Sequence, residues 1–276
     1  MAGRVTTDGV FVSARSVESD DPFHILQSNI SFLSALLEQH LREDELAPDA
    51  LRSYYVDYYL TQVNDGGFSQ FIFNTRWHPP TIEHVGEGLT AIGALRHLEL
   101  FDEVVEAVDR FGPTRLAEFF DSDYFDENVE HDFFGEFDDP FFELCESEDL
   151  VELNADWLRR HPRLIVKSSS ELEEEVARRV AAITDMDERI AAELASEPRF
   201  LQLIRALCDA TGQQLNHVTA CDPNQTLGRE TVLAWHFVTD RGRHYLVDRG
   251  ERAIMFSESN EQIAAIDAPA SDYGEL

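Results

Sequence analysis

Up to Pro198 the apolar residues recur at three- and four-residue spacing, the pattern of helices buried along one face. Asp21-Pro22 opens the first helix, an acceptor at the cap and proline in the first turn, with Phe23, Leu26, Ile30, Leu33, Leu37 and Leu41 on its stripe. A second starts near Pro48-Asp49, shows Leu51, Tyr55, Tyr58, Tyr59 and Val63, and stops at Gly66-Gly67; Phe68 to Asn74 reads as a short third. Pro79-Pro80 resets the chain, and Ile82 to Leu100 carries Val85, Leu89, Ile92 and Leu95 on one stripe. Phe101 to Phe111 makes another helix, ended by Gly112-Pro113. Helical pattern then covers Thr114–Phe120, Phe141–Cys145 and Glu148–His161, the last with Ser147 as its cap. Residues 122–139 have no clear period and read as an ordered loop held by its phenylalanines. Ser170 with Glu173 matches a capping box that opens a charged helix to about Ile183, and a further run reaches Ala195.

After Pro198 the texture changes. Phe200 to Asp209 is a helix closed by Gly212, and Leu215–Ala220, Val232–Thr239, His244–Asp248 and Ala253–Ser257 read as strands. Asp240-Arg241-Gly242 and Asp248-Arg249-Gly250 separate the last three, a repeated turn signal, and Asn260 to Ile266 suggests a closing helix. The fold class expected is mainly α: a helical bundle domain followed by a small α+β unit with an antiparallel β-meander. The expected boundaries are a flexible arm over 1–22 (including Val10-Phe11-Val12), an acidic all-helical domain over 23–160, a helical connector over 161–198 and the α+β unit over 199–276.

Charge changes this picture more than any other property. The 276 residues hold 54 Asp and Glu against 22 Lys and Arg, a formal net charge of −32. Half of it lies between Arg115 and Arg159, where 43 residues contain no Lys or Arg and 16 carboxylates. These are Glu118, Asp121, Asp123, Asp126, Glu127, Glu130, Asp132, Glu136, Asp138, Asp139, Glu143, Glu146, Glu148, Asp149, Glu152 and Asp156. The same stretch holds eight phenylalanines, whereas disordered acidic tails are poor in aromatics. The segment should therefore fold and hold its charges in place. Such a field repels nucleic acid and anionic membrane and attracts a basic protein. At about one carboxylate per 2.7 residues, a helical rise of 1.5 Å gives roughly one charge per 4 Å, near the ~3.4 Å of a DNA strand. The plainer reading of the same run is a solvated face that aids solubility.

Nothing in the chain supports catalysis, a metal or a cofactor. His78, His84 and Glu87 fit neither HExxH nor its inversion; His217 and Cys221 are four apart on a strand and do not converge. His236 and His244 could face each other across a hairpin, yet no nucleophile motif accompanies them, and phosphate-binding glycine loops are absent. The three cysteines, Cys145, Cys208 and Cys221, have no CxxC spacing, which fits a reducing compartment. No run approaches the roughly 18 apolar residues of a spanning helix, and no charged-then-apolar signal pattern opens the chain, so a cytoplasmic protein is expected.

The run from Tyr55 to Asn74 contains Asn64-Asp65-Gly66-Gly67-Phe68-Ser69-Gln70-Phe71-Ile72-Phe73-Asn74, followed downstream by Leu89-Thr90-Ala91-Ile92-Gly93-Ala94. Read by itself, the double glycine is a structural turn. Together the two elements resemble the signature of a bacterial DNA-mimic protein family, of the DNA mimic protein 19 type, over roughly residues 23–160. The resemblance implies a helical domain without catalytic machinery, in which Asn64, Gly66, Gly67, Phe68, Gln70, Asn74 and Gly93 build the fold. It further implies that an acidic surface imitates duplex phosphates and occupies a basic DNA-binding protein, a transcription factor or nucleoid protein. The carboxylates expected to do so run from Glu118 to Asp149. A second function fits the same electrostatics: an immunity protein or antitoxin that neutralises a basic nuclease.

Overall fold

Tyr59 stands at the centre of the helical part, fully buried and met edge-on by Phe71, Phe101 and Phe141 at ring-centroid distances of 5.4, 5.4 and 5.5 Å. The structure, a computed structural model, describes residues 9–122 and 133–268. It divides into two compact units, Met1–Thr184 and Asp185–Leu276.

In the first unit, α1 (Ala14–Val17), α2 (Phe23–Leu37), α3 (Pro48–Thr75), α4 (Pro79–Ile92), α5 (Leu95–Phe111), α6 (Pro113–Asp121), α7 (Asp138–Cys145), α8 (Leu150–Arg159) and α9 (Ser169–Val180) follow in order. The long α3 packs against α2, α4, α7 and α8. Its contact with α4 is close because of Gly88: a Cβ there would stand 2.6 Å from Val56 Cγ2 and 2.7 Å from the Arg52 carbonyl oxygen. Proline occupies the first turn of α3, α4 and α6, where no backbone donor is needed.

Several expectations are corrected here. Within the described residues 9–22, the arm is not loose. Val10–Ser13 forms β1, paired in parallel with β2 (Leu164–Lys167), and Val10, Phe11 and Val12 lie in the core, Phe11 stacked on Phe32 at 5.0 Å. The pairing partner lies far along the chain, so local periodicity carries no trace of it. The connector expected over 161–198 does not exist as a separate piece. β2 and α9 belong to the first unit, where Arg179 is buried over the rings of Phe11 and Phe32. The stripe over 82–100 breaks at Gly93, whose φ of +79° caps α4 and leaves Leu95 exposed at the start of α5. Asp149, not Ser147, caps α8, and the capping box of α9 is Ser168 with Glu171 rather than Ser170 with Glu173. Phe134 and Phe137 enter the core as expected of the phenylalanine-rich loop; residues 123–132 of that loop lie outside the described residues.

The second unit begins with α10 (Met186–Ser196) and α11 (Arg199–Thr211), the latter closed by Gly212 at φ +61°. Five antiparallel strands follow in meander order: β3 (Leu215–Leu227), β4 (Glu230–Thr239), β5 (Gly242–Asp248), β6 (Arg252–Ser257) and β7 (Gln262–Asp267). Leu203, Ile204, Leu207 and Cys208 of α11 cover Phe237, Leu246, Ala253 and Met255 of the sheet. The closing helix expected over 260–266 is instead β7. Pairing with β6 and the β-branched Ile263 and Ile266 outweigh the helical preference of Ala264 and Ala265. The expected combination of a helical domain and an α+β unit with a meander is what the chain adopts.

Candidate acidic interaction surface

The double-glycine signature is the joint on which the acidic segment is hung. Two α-helical stretches meet at Gly66 and Gly67, and Gly67 adopts φ +72°, ψ −175°, a conformation essentially closed to other residues. The break leaves the Phe68 N–H at the start of a new helical turn. Asp138, at the start of α7, accepts from it at 2.8 Å. A Cβ on Gly67 would lie 2.3 Å from Asp138 Oδ2, so glycine is needed for both backbone and approach. Burial pushes the Asp138 carboxyl above its ordinary pKa, while the Phe68 N–H pulls the other way. Asn74 donates to Gln62 Oε1 at 2.6 Å, tying the two halves of α3 across the joint, with Gln70 reaching the same side chain more weakly at 3.4 Å. Asn64 is exposed.

From this joint the carboxylates fan outward. Phe119, Phe134, Phe137 and Phe141 point into the core, while Glu118, Asp121, Glu136, Asp139, Glu143, Glu146, Asp149, Glu152 and Asp156 are exposed. Three carboxylates, Asp149 among them, also do internal work. Asp138 holds Phe68, Glu148 Oε2 accepts from the His97 N–H at 3.0 Å, and Asp149 Oδ1 accepts from the N–H groups of Val151 and Glu152 as the α8 cap. Asp156 pairs with Arg160 at 3.1 Å. Asp123, Asp126, Glu127, Glu130 and Asp132 lie outside the described residues.

The structure adds a stripe that reading the 43-residue run alone overlooks. The inner face of α5 buries Leu100, Phe101, Val104, Ala107, Val108 and Phe111; its outer face presents Glu99, Asp102, Glu103, Glu106 and Asp109. Those five carboxylates span about 15 Å of helix at 1.5 Å per residue, roughly one per 4 Å. Arg96 and Arg110 flank the stripe, and Arg110 reaches Glu106 at 3.5 Å between exposed side chains, a weak pair. Because α5 packs on α6 and α7, its stripe and their exposed carboxylates belong to one rigid framework. The signal was present in the sequence as the polar complement of an apolar helical stripe.

Cavities and histidines offer less. One cavity, about 1010 Å³, is a groove between α2 and α9 over Phe32, Leu172 and Val176, and shares no residue with the acidic helices. A smaller one, about 470 Å³, lies along α4 and α5 behind Trp77. Arg76 and Trp77 have φ of +50° and +49°, left-handed backbone that costs about 1–2 kcal/mol per residue. Arg76 anchors the turn by donating to the Phe120 carbonyl and covering the Phe73 ring at 4.6 Å. His84 stacks on Tyr55 and Glu87 pairs with Arg52 at 2.7 Å. His217 is exposed on β3. His236 and His244 take successive registers against Tyr245 and Phe237, so they point to opposite faces of the sheet and build no cleft. Among the described residues no group of His, Cys, Asp and Glu could hold a metal ion, and no helix is long and apolar enough to cross a membrane.

A glycine-jointed helical framework with its carboxylates turned outward defines a class of acidic-surface domain. Residues 44–161, from the turn before α3 to the end of α8, match the model of the DMP19-like protein family, which supports the resemblance read from the sequence. No curated protein and no solved structure matches the chain.

Proposed function

We propose that the exposed carboxylates of α5, α6 and α7 take the place of duplex phosphates in the groove of a basic DNA-binding protein, a transcription factor or nucleoid protein, and so block its DNA binding. The observation that carries this reading is the α5 stripe. Its spacing approaches the ~3.4 Å per charge of a DNA strand, and the helix bearing it is immobilised by a packed inner face. Fixed like charges repel one another, and a basic partner relieves that repulsion. The family match supports the same reading.

The test is competition. The full chain is immobilised, exposed to native host lysate, and eluted either with duplex DNA or with salt. The expected result is a basic DNA-binding protein released by both. A variant carrying Glu99→Gln, Glu103→Gln, Glu106→Gln and Asp109→Asn should no longer retain it. Retention by that variant, or indifference to duplex DNA, would overturn the proposal. A nuclease in the DNA-eluted fraction would assign the same surface to toxin immunity.

A further inference from the structure

The cavity behind Trp77 lies where the α5 stripe meets α4. Trp77, Ile82, Phe101 and Val105 form its apolar walls, and Glu83 and Asp102 stand exposed at its rim. Neither rim carboxylate makes an ion pair among the described residues. Apolar walls that include two aromatic side chains, with two carboxylates at the rim, suit an arginine, which has an aliphatic stem and a planar cation. Trp77 holds its place through two successive left-handed residues, a strained turn anchored by Arg76 on Phe73 and Phe120. Gly86 keeps the cavity open, since a Cβ there would meet only Phe101 Cε1, at 3.9 Å.

The geometry points to this cavity as the anchor site for one arginine side chain of the basic partner, an inference that rests on the function proposed above. The surrounding stripe supplies long-range attraction, which any cation satisfies. The cavity supplies discrimination, because a planar guanidinium can stack on an aromatic side chain while its forked N–H groups reach Glu83 and Asp102, whereas a lysine ammonium is a compact, strongly hydrated point charge without that fork.

The experiment uses the full chain with oligo-arginine and oligo-lysine peptides of equal length, followed by fluorescence anisotropy. Wild type should bind both in a salt-sensitive manner and prefer arginine by about tenfold, within the range of a desolvated cation–π contact. Its tryptophan emission should respond to the arginine peptide, and Trp77→Phe should abolish that response. The decisive variant is Gly86→Leu, which fills the cavity, removes no charge and favours the helix. It should lower arginine-peptide affinity by about tenfold and leave lysine-peptide affinity unchanged, with the urea midpoint unchanged or raised. Salt-sensitive binding with equal affinities, untouched by Gly86→Leu, would overturn the anchor while leaving the acidic surface in force. Failure of wild type to bind either peptide would overturn both.

Discussion

Asp138 and Asp139 are neighbours in the chain and of the same chemical type, yet they belong to two different regions of the molecule. Asp138 faces the glycine joint, half-buried, accepting from Phe68; Asp139 faces solvent with Glu136 and Glu143. The joint spends carboxylate charge on local geometry, and the outer surface keeps it free to act at a distance. The comparison teaches that formal charge density overstates the acidity left free at the surface: Asp138, Glu148 and Asp149 are committed to backbone donors. It also understates it, because the α5 stripe lies outside the cation-free run.

The largest effect is expected at the joint. Gly67→Ala forces a Cβ into the Asp138 carboxylate in backbone closed to alanine, and should cost about 3 kcal/mol in urea unfolding. Asp138→Ala, which leaves the Phe68 N–H without its acceptor, should cost about 1.5 kcal/mol. On the other side of the comparison, neutralising Glu136, Asp139 and Glu143 together should leave stability within about 0.5 kcal/mol per site while weakening partner binding. A loss of stability there equal to that of Asp138→Ala would erase the distinction between joint and surface.

Acid sharpens the comparison by a smaller margin. His97 is fully buried, its Nε2 donating to the Glu148 carbonyl oxygen at 3.1 Å, and burial holds its pKa below the ordinary value. The unfolded chain therefore takes up this proton first, and the stability from neutral His97 declines as pH falls below about 6.5. His97→Gln should flatten the urea midpoint between pH 7 and pH 5.5. Asp57 has the opposite sign: burial pushes its carboxyl up to about 6, so its charge opposes folding at neutral pH and the penalty fades as pH falls through that value. Asp57→Asn should raise the midpoint at pH 7 and raise it by only about half as much at pH 5.

Most helix positions, the breaks at Gly66-Gly67 and Gly112-Pro113, and the strands from β4 to β6 were legible in the sequence alone, whereas α1 and the break at Gly93 were not. Each rests on local physics: a hydrophobic period, a proline without a donor, a glycine where the backbone turns left-handed. The concentration of acid and its companionship with phenylalanine were equally legible, since both are counts. Tertiary structure decided the rest. β1 finds β2 across most of the first unit, and β7 becomes a strand because β6 offers it an edge. Asp138 leaves the acidic surface because a glycine joint 70 residues away has an open N–H. In each case the deciding partner is distant in the chain and near in space, and a pattern read within one segment holds no information about it.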